Sequence, residues 1–120
     1  MRFIQEFGYT VKVGQEEAHQ KWVIENDQAL RDAAPPGSKY LGTFTVVYSS
    51  EKNAGGYKFL MEMDSYGAMD AGAAAMKDPN NPWQKLLLES SKFIDTSWSV
   101  PWSNGLLKDV VDASIWDPKT

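Results

Sequence analysis

Residues 16–34 read EEAHQKWVIENDQALRDAA and carry the clearest structural signal in the chain. Laid out at about 100° per residue, the apolar side chains gather on one side and the charged ones on the other, which predicts an amphipathic helix. Two polar residues, His19 and Asn26, interrupt the apolar side two turns apart. Because polar groups that face an apolar interior need hydrogen-bond partners, we predict that these two residues line a site.

Three segments around this helix are predicted to be strands. Apolar and polar residues alternate over residues 2–13, 40–49 and 57–63, as in strands with one buried face. The proline pair at residues 35–36 ends the helix, because proline cannot continue the ladder of backbone hydrogen bonds. A polar turn over residues 50–56 then joins the second strand to the third. The chain therefore begins with the order strand, helix, strand, strand.

Two helices and a fourth strand are predicted to follow. Asp64 or Ser65 is expected to cap the second helix. Asn81 is expected to cap the third, with Pro82 as its first residue, where the missing N–H costs nothing. Residues 96–102 are predicted to form an edge strand, since the proline in this segment has no backbone donor.

The end of the chain is predicted to lie outside the core. The Asn-Gly pair at residues 104–105 is typical of a turn, and residues 106–112 have the apolar spacing of a short helix. At this length we expect one domain over residues 1–120. Its core is predicted to span residues 3–102, and residues 103–120 are predicted to form a C-terminal extension.

The order of the elements predicts an α+β fold, a ferredoxin-like βαββαβ sandwich whose four-stranded antiparallel sheet carries its helices on one face. The face with Phe7, Phe44, Phe59 and Trp98 is expected to lie under the helices. The opposite face mixes apolar and charged residues, and large exposed apolar patches tend to be covered by a partner. We therefore predict a homodimer through the open face, a dimeric α/β barrel. The alternative is a monomer whose open face is in water.

The composition excludes several classes of function. The net charge is −4 and no cluster of Lys and Arg is present, so nucleic acid is not an expected partner. The chain has no cysteine and one histidine, which excludes thiolate zinc sites, thiol catalysis and a histidine metal cluster. We expect no cofactor and no metal.

No apolar run approaches the ~20 residues that span a membrane, and the first residues do not resemble a signal peptide, so we expect a cytoplasmic protein with no membrane partner.

Several short motifs resemble those of a known superfamily. Val13 and Gly14 precede the amphipathic helix, and residues 37–44, which read GSKYLGTF, follow it. Residues 78–83, which read DPNNPW, are similar to an Asp-Pro-x-x-Trp segment with one additional residue. With these motifs the chain resembles the dimeric α/β-barrel superfamily over residues 3–100. Within that superfamily it is most similar to NIPSNAP-like and antibiotic-monooxygenase-like domains.

The resemblance implies a ferredoxin-like fold, a dimer and a pocket between sheet and helices, which in branches of the family acts on haem or polyketides. The polar residues of the family's own sites are not matched. The second helix has no histidine, and residues 5–9 read QEFGY where NIPSNAP-like sequences often have Arg-x-Tyr. No catalytic residue is therefore carried over from the family.

Our leading hypothesis is a small-molecule pocket between the sheet and the first two helices, in a cofactor-independent oxygenase or isomerase. His19 and Asn26 are the candidate catalytic residues, the first as a general base and the second as a donor to a carbonyl or oxyanion. The predicted walls of the pocket are aromatic. They are Tyr9, Trp22, Tyr48 and Phe59.

Other interpretations remain open. His19 could be a structural residue bonded to a Tyr or Ser, or it could bind haem. The chain could instead be a non-catalytic dimeric interaction module, in which side chains would fill the space between helices and sheet. Glu6, Lys58 and Glu62 share one sheet face, where they could form ion pairs or an acid–base site.

Overall fold

The architecture is a four-stranded antiparallel sheet with three helices. The computed structural model describes residues 2–50, 54–97 and 103–111. Its elements are β1 (Phe3–Tyr9), α1 (Glu16–Ala33), β2 (Ser38–Thr45), β3 (Tyr57–Met63), α2 (Ala68–Lys77), α3 (Pro82–Ser91) and β4 (Ser103–Lys108). The strand order is β2-β3-β1-β4, and each neighbouring pair is antiparallel. This confirms the predicted α+β ferredoxin-like fold.

Helix α1 begins and ends within one residue of its prediction. Glu16 and Glu17 lie in the first turn and Arg31 in the last, which places each charge at the end of the helix dipole that favours it. The helix ends just before Pro35, because the residue preceding a proline is driven out of the helical conformation. Leu30 and His19 are its buried residues. The two most deeply buried side chains of the helix are therefore one hydrophobic and one polar residue.

Helix α3 begins as predicted, whereas the predicted start of α2 is wrong. The Asn81 side-chain oxygen accepts hydrogen bonds from the backbone N–H groups of Trp83 (2.9 Å) and Gln84 (3.3 Å). Helix α2 begins at Ala68 and has no side-chain cap. Asp64 and Ser65 lie in the turn before it, where the backbone oxygen of Ser65 accepts from the N–H of Ala68 (3.2 Å).

The fourth strand lies farther along the chain than predicted. Residues 103–108 pair with β1, although this segment was predicted to hold a turn and the start of a helix. Residues 96 and 97 lie outside any strand, and residues 98–102 are outside the described part of the chain. The free edge of β1 offers backbone hydrogen bonds that override the local Asn-Gly turn signal. Gly8 makes the close approach possible, because an added Cβ there would lie 2.2 Å from the Ser103 Oγ.

A β-bulge in β2 changes the predicted faces of the sheet. The register against β3 shifts between Tyr40 and Gly42, so that Leu41 is the additional residue. Tyr40 stays buried on the helix side, but Phe44 pairs with Lys58 on the open face and is 50% exposed. The prediction that Phe44 lies under the helices is therefore wrong. Phe7 and Phe59 do lie on the helix side, whereas Trp98 is outside the described residues.

The Arg31 guanidinium holds the bulge in place. It donates hydrogen bonds to the backbone oxygens of Tyr40 (3.1 Å) and Leu41 (3.3 Å), and it ion-pairs with Asp27 one turn earlier on α1 (2.9 Å). These bonds satisfy carbonyl groups that an irregular strand leaves without a ladder partner. The bulge is thereby tied to the end of α1.

Among the described residues, the hydrophobic core forms two clusters on the helix side of the sheet. The larger one joins Leu30 of α1, Tyr40 and Met61 of the sheet, and Trp83 of α3. The smaller cluster joins Phe3, Met63 and Ala68, and so attaches the start of α2 to the sheet. The two clusters flank the space beneath α2. Among the described residues, no helix is both long and apolar enough to span a bilayer.

Candidate ligand-binding site

A cavity of about 480 Å³ lies between the helix side of the sheet and the three helices. The sheet supplies Phe7, Tyr9 and Phe59, and α1 supplies His19 and Trp22. Helix α2 faces the cavity mainly with small residues, which leave the space open. These are Ala68, Gly72 and Ala73.

The cavity lining carries no Asp, Glu, Lys or Arg among the described residues. Its polar side chains are few and uncharged. Besides the histidine and the aromatic residues, they are Gln5, Ser38, Thr43 and Ser90. Four methionines also line the space. They are Met61, Met63, Met69 and Met76. Such a lining suits an apolar guest with few hydrogen-bonding groups.

The most deeply buried polar group in the lining is a His–Tyr pair. The Tyr9 hydroxyl and the His19 Nε2 are 2.7 Å apart, and the two residues are 7% and 2% exposed. The imidazole ring is packed edge-on against aromatic neighbours, with ring centroids 4.5 Å from Tyr57 and 5.8 Å from Phe93. The ring is therefore fixed on several sides. With Nε2 already bonded to Tyr9, this enclosure disfavours haem ligation through that nitrogen.

Both members of the pair are neutral at pH 7. Burial lowers the pKa of His19, because the charged imidazolium loses its hydration. Burial raises the pKa of Tyr9 for the same reason, and the neighbouring Tyr40 and Tyr57 raise it further. The site therefore holds a neutral imidazole beside a protonated phenol.

The other imidazole nitrogen is buried without a partner. Within the described part of the chain, the His19 Nδ1 has no hydrogen-bond partner. Leaving such a group unsatisfied costs roughly 1–3 kcal/mol. The atom has less than 1 Å² of accessible surface, so this cost belongs to the packing around the ring and not to a surface that faces the cavity.

The structure brings together four of the six predicted site residues. His19, Tyr9, Trp22 and Phe59 line the same cavity. Asn26 does not line it, because its side chain turns back along α1 and its Nδ2 donates to the Trp22 carbonyl (2.9 Å). The Asn26 Nδ2 thus has its hydrogen-bond acceptor within its own helix. The prediction that Asn26 lies in the pocket is therefore wrong.

Tyr48 is the second correction. It lies beyond the end of β2 at Thr45 and is 88% exposed, so it is not a wall of the cavity. Gln5 and Thr43 also line the cavity, although neither was among the predicted site residues. Gln5 lies between Phe3 and Phe7 on the helix-side face of β1, because every second residue of a strand shares a face, so the sequence did contain a signal for it. Thr43 reaches the cavity only because of the bulge.

The charged residues of the sheet lie away from the cavity. The Lys58 Nζ is 3.6 Å from the Glu6 Oε2, and Glu62 pairs with Arg2. These contacts make the predicted Glu6, Lys58 and Glu62 cluster a set of ion pairs on the open face. In the ranges that the structure describes, no group of three or more His, Cys, Asp or Glu residues could hold a metal ion.

The fold and the site together define a ferredoxin-like α+β protein with an uncharged cavity between sheet and helices. No protein-family model and no curated protein matches the chain. Solved structures share its fold, among them a NIPSNAP family protein from Agrobacterium tumefaciens. That protein is 15% identical with a TM-score of 0.63, and the match covers 93% of this chain and 89% of the other.

Two further structures support the same fold. An uncharacterized NIPSNAP domain protein from Burkholderia xenovorans is 12% identical with a TM-score of 0.63, over 93% of this chain and 98% of the other. A protein from Nitrosomonas europaea, named "Putative antibiotic biosynthesis monooxygenase", is 10% identical with a TM-score of 0.57, over 90% and 98%. The chain therefore has the ferredoxin-like fold of NIPSNAP-like and antibiotic-monooxygenase-like proteins, as the sequence resemblance implied.

Proposed function

We propose that this protein binds a small apolar molecule, aromatic or polyketide-like, in the cavity between sheet and helices. The observation that supports the proposal is a cavity of about 480 Å³ whose described lining carries no Asp, Glu, Lys or Arg. Ligand pockets typically have volumes of roughly 300–1,000 Å³ and mostly apolar linings. The alternative interaction module predicts a space filled by side chains, and the open cavity favours ligand binding over it.

The residues of α2 support an entry route beside that helix. Met69 and Met76 belong to the lining, yet they are 38% and 55% exposed. A ligand that enters beside α2 first contacts the flexible thioether side chains of these two methionines and then the aromatic residues of the interior. The cavity is thus accessible to a molecule from solution.

The chemistry of the site supports a reaction that needs no cofactor. His19 is neutral and lies beside the Tyr9 hydroxyl, so the pair can hold or move a proton next to a bound ring. Isomerisation and cofactor-independent oxygenation both depend on such a step at the substrate itself. We therefore propose an oxygenase or isomerase acting on an aromatic compound as the class of activity.

Filling the cavity from α2 tests ligand binding. Gly72 lines the cavity, and an added Cβ there meets no atom within 4 Å, so we expect the side chain of Gly72→Leu to occupy part of the cavity. We expect this variant to bind naphthalene at least about tenfold more weakly than the parent, or about 1.4 kcal/mol. Binding is measured by equilibrium dialysis with ultraviolet detection of the ligand.

The matched control is Gly72→Ala. Both substitutions stabilise the helix by up to about 1 kcal/mol relative to glycine, but alanine leaves the cavity open. Naphthalene should bind to Gly72→Ala as it does to the parent. If the parent does not bind naphthalene, or if Gly72→Leu binds it equally well, the cavity is not a ligand site.

We further propose that the open face of the sheet pairs with a second copy of the chain. This face carries Phe44 and Leu107, each 50% exposed, beside the Glu6–Lys58 ion pair. Large side chains in water on a sheet face favour burial against a complementary surface, and a two-fold axis makes a face complementary to itself. The pairing would produce the predicted dimeric α/β barrel.

A charge on the open face tests the dimer. Leu107→Glu should raise the dimer dissociation constant at least about tenfold, because a carboxylate opposite Ile4 would be buried in the interface. Val13→Glu is the control, since Val13 is 95% exposed but lies in the loop before α1. Sedimentation velocity over a dilution series measures both. A parent protein that sediments as a monomer at high concentration contradicts the proposal.

A further inference from the structure

Two polar side chains of the cavity lining, Gln5 and Ser38, have no hydrogen-bond partner within the described part of the chain. Three hydroxyl groups of the lining do have partners. They are those of Tyr9, which is 2.7 Å from the His19 Nε2, of Thr43, which is 2.6 Å from the Tyr40 hydroxyl, and of Ser90, which donates to the Leu87 carbonyl (2.8 Å). Gln5 and Ser38 are therefore free to bond to a ligand.

Gln5 lies in the middle of the sheet, on the face that lines the cavity. It pairs with Met61 of β3 on one side of β1 and with Leu106 of β4 on the other. Gln5 is nevertheless exposed. Because both edges of its strand are paired, its exposed surface belongs to the side chain, which shares the helix-side face with Phe3 and Phe7. The Gln5 side chain is therefore accessible to a molecule in the cavity.

The aromatic part of the lining lies beside Gln5 along the sheet. Phe7 is two residues farther along β1 on the same face, at a distance of about 7 Å, since a strand rises about 3.4 Å per residue. Phe7 is paired with Phe59 of β3. A fused aromatic ring system that packs on these two phenylalanines can therefore bring a substituent at its end to the Gln5 side chain.

The carboxamide of Gln5 limits which substituent fits there. It holds a donor, the Nε2 amide group, beside an acceptor, the Oε1 oxygen. A ligand that displaces water from both atoms without replacing their hydrogen bonds leaves them unsatisfied, which is disfavoured. A second amide group can accept from Nε2 and donate to Oε1 at the same time. A carboxylate is disfavoured, because the described lining holds no Lys or Arg to neutralise it.

We propose that Gln5 determines the specificity of the cavity, and that the ligand is an uncharged aromatic compound with a carboxamide or lactam group. This group pairs with the Gln5 side chain through two hydrogen bonds, while the aromatic part packs on Phe7 and Phe59. The inference rests on the proposed ligand-binding function and narrows its ligand class.

Two ligands that differ in one group test the inference. 2-Naphthamide and 2-acetylnaphthalene share the ring system and the carbonyl, but the ketone has a methyl group where the amide has NH₂. In Gln5→Met, a side chain of similar length forms neither hydrogen bond. We expect the dissociation constant of the ketone divided by that of the amide to fall at least about tenfold from the parent to Gln5→Met. Because both ligands are compared in both proteins, their different hydrophobicity cancels. Equilibrium dialysis measures all four constants.

Ser38→Ala is the matched control, since it also removes a polar group without a partner from the lining. Ser38 lies on β2, which is separated from β1 by β3, so the two strands are about 10 Å apart. The ratio of the two dissociation constants should therefore stay as in the parent. A ratio that is unchanged in Gln5→Met, or that falls equally in Ser38→Ala, contradicts the inference while the cavity remains a ligand site.

The inference and the function on which it rests can fail separately. If the parent binds naphthalene but neither of the two derivatives, the inference alone is wrong. If the parent binds none of the three compounds, the proposed function fails, and the inference fails with it.

The contact can also be observed in the parent protein. Proton–nitrogen correlation NMR shows the side-chain NH₂ groups, and the pair of signals that is lost in Gln5→Met belongs to Gln5. This pair should shift when the parent is saturated with 2-naphthamide. A pair of signals that keeps its position at saturation overturns the inference.

Discussion

Leu30→Ala should lower the free energy of unfolding by about 3–4 kcal/mol, a substantial part of the stability of a domain of this size. Leu30 is fully buried at 0% exposure and packs in the cluster with Tyr40, Met61 and Trp83. Truncation removes apolar surface from the centre of the core. The neighbouring side chains cannot collapse into the space, because Tyr40 and its strand are held by the Arg31 hydrogen bonds at the bulge. Urea unfolding followed by circular dichroism measures the difference.

Ile24→Ala provides the comparison on the same helix. Ile24 is 70% exposed, so the substitution should change the free energy of unfolding by less than about 0.5 kcal/mol. A loss below about 1 kcal/mol in Leu30→Ala would show that α1 does not pack on the sheet through this residue.

Acidification should destabilise the protein through His19. Burial lowers the pKa of the folded imidazole, so in mild acid the unfolded chain binds a proton that the folded chain does not. The stability that the protein has with a neutral His19 is therefore fully present above about pH 6.5, the ordinary pKa of an exposed histidine. It is lost as the pH falls from there towards the lower pKa of His19 in the folded protein. The slope of the free energy of unfolding against pH that is due to His19 approaches but does not exceed about 1.4 kcal/mol per pH unit, because only one proton is bound.

The contribution is isolated by comparison with His19→Gln. The carboxylates titrate in both proteins, so the difference between their free energies of unfolding reports the imidazole alone. This difference should be constant above about pH 7 and should change as the pH falls through 6 and 5. A difference that does not depend on pH between 7 and 5 would mean that the buried ring takes up its proton as readily as an exposed one.

The sequence predicts the elements whose signals are local. Helix α1 follows from its apolar periodicity, α3 from the Asn81 cap before Pro82, and β3 from alternation that coincides with the observed strand. Strand β4 depends on a distant partner, the free edge of β1, and no local pattern marks it. The side of the sheet that Phe44 occupies depends on one additional residue in β2, which reverses the alternation.

The site was predictable only in part for a similar reason. The break in the apolar stripe of α1 identified His19, whose burial and cavity position depend on the fold. The same break suggested Asn26, but its amide found a partner in its own helix, at the Trp22 carbonyl. The cavity itself has no positive signal in the sequence. It arises where small α2 residues such as Gly72 leave space, and an absent side chain has no periodicity to detect.

The four methionines in the cavity wall determine how selective the protein can be. Their unbranched side chains have several rotatable bonds and adapt to the outline of a neighbour at low energetic cost. Such a wall distinguishes poorly between guests of different contour. Under the proposed function, discrimination then falls to the aromatic part of the lining, where Phe7, Tyr9 and Phe59 project from the sheet. A ligand bound in the proposed site should therefore be able to vary in shape on the methionine side and much less on the aromatic side.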